Sequence, residues 1–194
     1  DTVFVLPFTK PFRIRNMQRF HQDTETVACG DRASVNLMGF SRQDFAPGMM
    51  LSNQIIESTA LVDAEISLFP ETPPLHTWTQ GLFFAGTQRC QAKIHLLGQA
   101  SNQPNQTRFV QIHLEKPALI LNGDRFIFRN SSGTQTLGGG QILDVWPLHH
   151  RKPKAALLRK LALLKNGGLA DYIEHEVEKS HDVVSLERLA KRLV

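Results

Sequence analysis

The feature that most restricts this chain is a rhythm in its first three quarters. From Asp1 to about Pro147, short β-rich runs recur roughly every dozen residues, with Gly or Pro between them where strands must turn. The runs are VFVL (3–6), FRIRNM (12–17), RASVNLMG (32–39), STALVDAEISLF (58–69), GLFFAG (81–86), RCQAKIHLLG (89–98), RFVQIHL (108–114), ALILNGDRFIFR (118–129) and GGGQILDVW (138–146). Several alternate cleanly: Phe109, Gln111 and His113 project to one side of their strand, and Val110, Ile112 and Leu114 to the other. No helical period separates the runs, so the expectation is β-barrels or sandwiches rather than a parallel α/β sheet. An internal boundary is expected near Ser52-Asn53-Gln54, after the turn Ala46-Pro47-Gly48.

Beyond Pro147 the period changes. The run KAALLRKLALLKNGG opens beside Pro153 and stops at Gly167-Gly168, which is the punctuation of a helix. A second helix over LADYIEHEVEKS (169–180) sets Leu169, Ile173 and Val177 on one stripe, and a third begins at Ser185 with a capping Ser. Charge changes at the same place. Residues 1–147 hold 12 basic and 12 acidic side chains, whereas residues 148–194 hold 10 and 6, which is the whole net charge of +4. Six basic residues and no acidic one lie between Arg151 and Lys165, a pattern that suits a polyanion or a solvated helix face.

Several classes fall away. No apolar run approaches the roughly 18 residues that span a bilayer, so no membrane role is expected. Cys29 and Cys90 fit neither a disulfide scaffold nor a zinc clip, and reduced thiols in a cytoplasmic protein are the expectation. His149-His150 and the set His76, Cys90, His95 do not match a zinc spacing. No phosphate-loop motif GxxxxGK[ST] and no catalytic grouping stands out, so the chain reads as a non-enzyme. Starting at Asp1 and entering a strand at once, it reads as a piece of something longer, without a signal peptide of its own.

The stretch GDRASVNLMGFSRQDFAPGMMLSN (30–53) resembles the second domain of translational GTPases of the elongation factor Tu type. The stretch GDRFIFRNSSGTQTLGGGQILDVWP (123–147) resembles the last hairpin of their third domain, and its SSGTQTLGGGQILD version is most similar to the selenocysteine-specific branch. The resemblance covers essentially all 194 residues. It implies a mainly β fold: an incomplete second-domain barrel over 1–52, a third-domain barrel over 53–147, and a basic helical extension over 148–194 that begins a winged-helix module. It further implies that the first hairpin of the second domain is absent before Asp1, along with part of the aminoacyl pocket. GTP and Mg would belong to a GTPase domain outside this chain, and no cofactor is expected within it. The implied partners are selenocysteinyl-tRNA, the ribosome and, through modules outside the chain, a messenger RNA hairpin. An unpaired barrel edge templates pairing with another chain, so a dimer through that edge is one expectation.

The resemblance also assigns residues. Arg32 stands where the family contacts the esterified amino acid; a guanidinium rewards a selenolate over a neutral serine hydroxyl, most strongly in a partly desolvated pocket. Its blander role is a solvated Arg beside Asp31. Arg125, Arg129, Asn130, Ser131, Ser132 and Gly133 correspond to the hairpin that touches the tRNA backbone, where hydroxyls, amides and exposed N–H groups suit phosphate and ribose. For Ser131-Ser132-Gly133 a plain turn is the alternative. Lys152, Lys154, Arg159 and Lys160 are the RNA candidates of the basic helix, and packing of their stems against the barrel is the alternative. Gly138-Gly139-Gly140 is read as a strand closely approached by other backbone, since no helix follows it to make a phosphate cradle. Three rivals stand beside this reading: a helix-turn-helix regulator with a β-barrel body, an enzyme on a β-barrel, and a fragment of another translational GTPase.

Overall fold

A computed structural model describes residues 1–98, 107–151, 155–180 and 183–192. It divides into two compact units, Asp1–Glu57 and Ser58–Val194. The division falls at 57 rather than at the expected 52, because the connecting loop precedes the first strand of the second unit. The helical extension lies within that second unit rather than forming a third.

The first unit contains β1 (Thr2–Leu6), β2 (Pro11–Arg19), β3 (Gln22–Thr24), β4 (Ala33–Leu37) and β5 (Met50–Ser52). They form an open antiparallel sheet in the order β3-β2-β1-β5, with β4 also pairing with β2. β3 and β5 are three-residue strands that hydrophobic alternation does not reveal. The polar hop between β4 and β5 is a short 3-10 turn over Arg42–Asp44, and its boxed cap satisfies the exposed amides. The Ser41 hydroxyl accepts from Gln43 N at 3.2 Å, and the Asp44 carboxylate accepts from Ser41 N at 3.2 Å. Only Val5, Leu6 and Phe12 are buried hydrophobic residues in this unit.

The second unit contains β6 (Thr59–Leu68), β7 (Thr79–Ala85), β8 (Gln88–Leu96), β9 (Thr107–Ala118), β10 (Arg125–Asn130) and β11 (Thr136–Asp144). They close into an antiparallel barrel in the order β10-β11-β6-β9-β8-β7. Period-2 alternation fills it: Val62, Ala64 and Ile66 from β6, Ile94 from β8, and Val110 and Ile112 from β9 point inward and are essentially inaccessible. Phe83 and Phe126, on the paired strands β7 and β10, stack inside the barrel at 5.4 Å between ring centres. The run 118–129 is not one strand, as its composition suggests. Ala118 ends β9, Leu119 and Ile120 are buried as a plug, and Gly123 turns the chain at φ +88° before β10.

The three glycines of β11 serve close approach, as expected. A Cβ on Gly140 would lie 1.7 Å from the Glu65 carbonyl oxygen, and one on Gly138 would lie 2.3 Å from that of Ser67. The β6–β11 spacing therefore leaves no room for a side chain at either place.

Three helices follow: α1 (Ala155–Asn166), α2 (Leu169–Lys179) and α3 (Leu186–Arg192). Gly167 and Gly168 end the first as expected, and the Asp171 carboxylate accepts from Gly168 N at 2.7 Å to start the second. Ser185 caps the third, accepting from Arg188 N at 3.2 Å. Leu161 and Leu164 of α1 pack with Leu97, Leu143 and Phe109 on the outside of the barrel, a second small core. The alternation in 109–114 is thus right about sides, but its outer side is not solvent. α1 covers Phe109, and Gln111 is completely buried.

Candidate nucleic-acid interface

Arg32 lies immediately before β4 and is exposed. Its neighbour Asp31 is engaged elsewhere, with Arg19 at 3.0 Å and with the Ala28 amide at 2.9 Å. Arg32 is therefore not neutralised by the adjacent carboxylate. From Ala33 onward, β4 lines an apolar groove of about 490 Å³ within the first unit, with Val5, Val35, Phe40, Phe45 and Met50 among its walls. This groove opens between β4 and β5, two strands that do not pair with each other. The arginine among the groove's walls is Arg42, whereas Arg32 precedes the groove-lining Ala33 and its guanidinium is solvated.

In the second unit the β-ladder sets the arginines of the Gly-rich hairpin on one outer wall. Arg125, Ile127 and Arg129 alternate outward along β10, while Phe126 and Phe128 fill the core. The register carries this row sideways: Ile127 pairs with Phe84, and Phe84 with Arg89, whose guanidinium lies 5.8 Å from the Phe84 ring centre. One step along, Arg129 pairs with Leu82 and Leu82 with Gln91; next, Gln80 pairs with Lys93. The barrel wall thus displays Arg125 and Arg129 from β10 and Arg89 and Lys93 from β8, with β7 between them. Arg129 Nε is buried and has no partner among the described residues.

The hairpin loop organises itself. The Asn130 side-chain oxygen accepts from Thr134 N at 2.9 Å, Gln135 N at 3.2 Å and the Ser132 hydroxyl at 3.1 Å. Ser131 donates to the Gln80 carbonyl at 3.1 Å, tying the loop to β7. Gly133 turns at φ +71°, where a side chain is disfavoured. Of the six hairpin residues, Asn130, Ser131, Ser132 and Gly133 have a clear local duty, while Arg125 and Arg129 remain the groups able to meet a phosphate.

The basic face of α1 has a different fate. Lys160 pairs with Glu178 of α2, and Lys165 pairs with Glu65 on the barrel at 2.9 Å. Arg159 is exposed, and Lys152 and Lys154 lie outside the described residues. The α2 stripe of Leu169, Ile173 and Val177 faces outward, with Leu169 64% exposed, while His175 and Glu176 are buried. The reason is electrostatic. Asp144, at the end of β11, accepts from His175 Nε2 at 2.9 Å and Lys179 Nζ at 2.8 Å, and Arg192 of α3 pairs with Glu176 at 2.8 Å.

A second buried carboxylate lies beside this one. Asp63 accepts from Gln111 Nε2 at 2.8 Å and bonds His150 Nε2 at 2.8 Å, while Gln111 also donates to the Leu148 carbonyl at 2.9 Å. Burial raises the Asp63 carboxyl above its ordinary range despite the His150 hydrogen bond. Burial would raise Asp144 too, but the His175 hydrogen bond and the Lys179 charge outweigh it and hold that carboxyl low. These pairs strap residues 148–150 and α2 to the barrel. They are structural fastenings. Among the described residues no group of three or more His, Cys, Asp or Glu is arranged to hold a metal ion. Cys90 faces the core while His95 projects from the opposite side of β8.

The sequence reading passed over Arg89 and Lys93, although Arg89, Gln91, Lys93 and His95 alternate with Cys90, Ala92 and Ile94. That polar period, set beside the hairpin arginines, was the available signal. Which strand neighbours β10 is a matter of barrel closure, which alternation does not encode.

Comparison with known proteins agrees with this architecture. Residues 62–149 match the family model described as selenocysteine-specific elongation factor, beta-barrel domain. A selenocysteine-specific elongation factor of Desulfomicrobium baculatum is 27% identical over 146 residues, which is 74% of this chain and 23% of that protein. One from Escherichia coli K12 is 22% identical over 166 residues, covering 84% of this chain and 25% of that protein. The chain thus spans about a quarter of the length of these relatives. The crystal structure of bacterial selenocysteine-specific elongation factor EF-Sec superposes with a TM-score of 0.72 at 20% identity, over 99% of this chain and 30% of that one. Residues 62–149 thus match the β-barrel domain of selenocysteine-specific elongation factors, and the chain as a whole is similar in sequence and fold to proteins of that kind.

Proposed function

We propose that this chain supplies tRNA-contacting surface to a GTP-dependent elongation factor that delivers selenocysteinyl-tRNA to the ribosome. The observation that carries the reading is the outer wall on which Arg125 and Arg129 of β10 flank Ile127, whose row runs through Phe84 of β7 to Arg89 of β8. Guanidinium groups on rigid strands of one wall meet the phosphates of an RNA backbone without reading its sequence. Arg32, exposed and one residue before the groove-lining Ala33 of the first unit, is the candidate for the selenocysteinyl group. GTP and Mg are assigned to a separate GTPase domain, and this chain carries no phosphate loop for them. α1 acts as an adaptor, since Lys160 and Lys165 are engaged in ion pairs.

The test is binding of labelled tRNA to this chain across a salt series. Wild type is expected to bind weakly with a clear salt dependence. Arg129→Ala should lower the log–log salt slope by roughly one phosphate contact. A slope unchanged in both Arg125→Ala and Arg129→Ala removes the wall from the interface. In a longer protein carrying the GTPase domain, Arg32→Ala should weaken selenocysteinyl-tRNA more than seryl-tRNA; equal losses dismiss the assignment. The helix-turn-helix reading calls instead for salt-dependent binding of duplex DNA with no preference for tRNA.

A further inference from the structure

Trp78 is the least expected residue on the barrel wall. It immediately precedes β7, is half exposed, and adopts φ +71°, a left-handed conformation that a bulky residue rarely takes. A tight turn enforces it. Thr79 N and the Thr79 hydroxyl both donate to the His76 carbonyl, at 3.0 and 2.7 Å, and Trp78 N donates to the Ile94 carbonyl at 2.6 Å. The indole lies flat on the His95 imidazole, 5.1 Å between ring centres and 3° between planes, and His113 leans against it at 5.1 Å. His95 is over nine-tenths buried and its Nδ1 has no partner among the described residues. Burial, reinforced by His149, pushes both imidazoles below their usual range, so near neutral pH they act as uncharged ring partners. A strained backbone thus holds a large flat ring partly in solvent, on a support that fixes its orientation.

Beside the indole lies a groove of about 660 Å³, lined by Gln80, Gln91, Lys93, His113 and Glu115 as well as Trp78. Its volume is ample for a nucleotide. The side-chain amides and the carboxylate offer donors and acceptors to a base edge, and Lys93 offers a cation to the attached phosphate. The groove is also continuous with the arginine wall. Gln80 pairs with Lys93, its carbonyl takes the Ser131 hydroxyl, and Arg129 lies one row away opposite Leu82.

We infer that Trp78, backed by His95, is a stacking platform for one unpaired nucleobase of an RNA whose backbone lies along the Arg125–Arg129 wall. This rests on the RNA-binding reading above and adds to it a requirement for a base outside a duplex. Paired bases are stacked on their neighbours and cannot reach the indole face, whereas an unstacked base can. Stacking also explains why the ring is exposed rather than folded into the core.

The experiment uses the full chain and two probes: a short labelled single-stranded RNA, and the same strand annealed to its complement. Trp78→Ala should weaken the single strand by about tenfold and leave the duplex unchanged. Trp78→Phe, which keeps a ring, should lose much less, and Trp78→Leu, which keeps apolar bulk without one, should behave like Trp78→Ala. In a Trp146→Phe background the single remaining indole should be quenched saturably by the single strand. Equal affinity of wild type and Trp78→Ala for the single strand, or equal loss on both probes, overturns the platform. If wild type binds both probes through Arg129 but is indifferent to Trp78, the platform alone falls. If wild type binds neither, the RNA-binding reading falls and the platform with it.

Discussion

The two units of this chain are made from similar strands and reach different ends. In residues 58–145 six strands close on themselves, and their inward side chains form one buried core. In residues 1–57 five strands, two of them only three residues long, leave β4 and β5 unjoined with an apolar groove between them. Phe45 and Leu51 of that unit are largely exposed, whereas Phe83 and Phe128 of the barrel are inaccessible. Closure, rather than hydrophobic content, decides how much each apolar residue contributes. An open sheet has the same alternation but nothing opposite its inner face.

Substitutions can test this contrast. A large effect is expected at Gly140, where a Cβ would collide with the Glu65 carbonyl. Gly140→Val should cost about 3 kcal/mol or more in urea denaturation, through forced separation of β6 and β11. Gly39, at φ +76° with open space around it, should cost only about 1 kcal/mol as Ala, through backbone strain alone. Similar losses at both glycines would mean that the β6–β11 approach is not tight.

Next come the aromatic residues. Phe83→Ala empties a closed core and should cost about 3–5 kcal/mol. Phe12→Ala, which removes an edge contact to Phe40 at 5.3 Å in the thin first unit, should cost clearly less on the same measure. A loss as large as that of Phe83 would show the open sheet to be as well packed as the barrel.

The two buried carboxylates sharpen the comparison within the second unit. Asp144→Asn breaks a pair with His175 and Lys179 and should cost about 3 kcal/mol near neutral pH. The folded chain holds Asp144 below its ordinary 3.8, so its contribution is present above that pH and is lost as pH falls through the lower folded value. Asp63 has the opposite sign. Its raised carboxyl binds a proton more readily when folded, so its ionisation costs stability as pH rises from 3.8 through the raised value. Asp63→Asn should flatten that part of the pH–stability curve and cost about 1 kcal/mol or less, because Asn retains an acceptor for Gln111. Equal losses from the two substitutions, or no difference in their acid profiles, would contradict the assigned shifts. The smallest expected effect is in hydrogen exchange: amides of β3 and β5 should exchange well before those of β9.

Much of this was legible in the sequence because it is local. Nine runs of β-type residues, the change of period after Pro147, the Gly167-Gly168 stop and the inward side of 109–114 all follow from neighbours along the chain. β3 and β5 were missed because three residues carry no period. The 118–129 run misled because buried loop residues are as apolar as strand residues. In α2 the apolar stripe was visible, but which face is covered depended on Asp144, a residue on another element 31 positions earlier than His175.

The candidate interface divides in the same way. The Gly-rich hairpin and its arginines stand out in sequence, and so does the concentration of positive charge after residue 147. Charge alone pointed to α1 as the polyanion surface, yet Lys160 and Lys165 are drawn into ion pairs by Glu178 and Glu65. The sequence by itself determined which side of each barrel strand is apolar, where the helices begin, and which family's motifs the chain carries. Only the tertiary structure decided that β7 closes against β10. That closure brings Arg89, Lys93 and Trp78 into one wall with Arg129, and no local period records which strands will become neighbours.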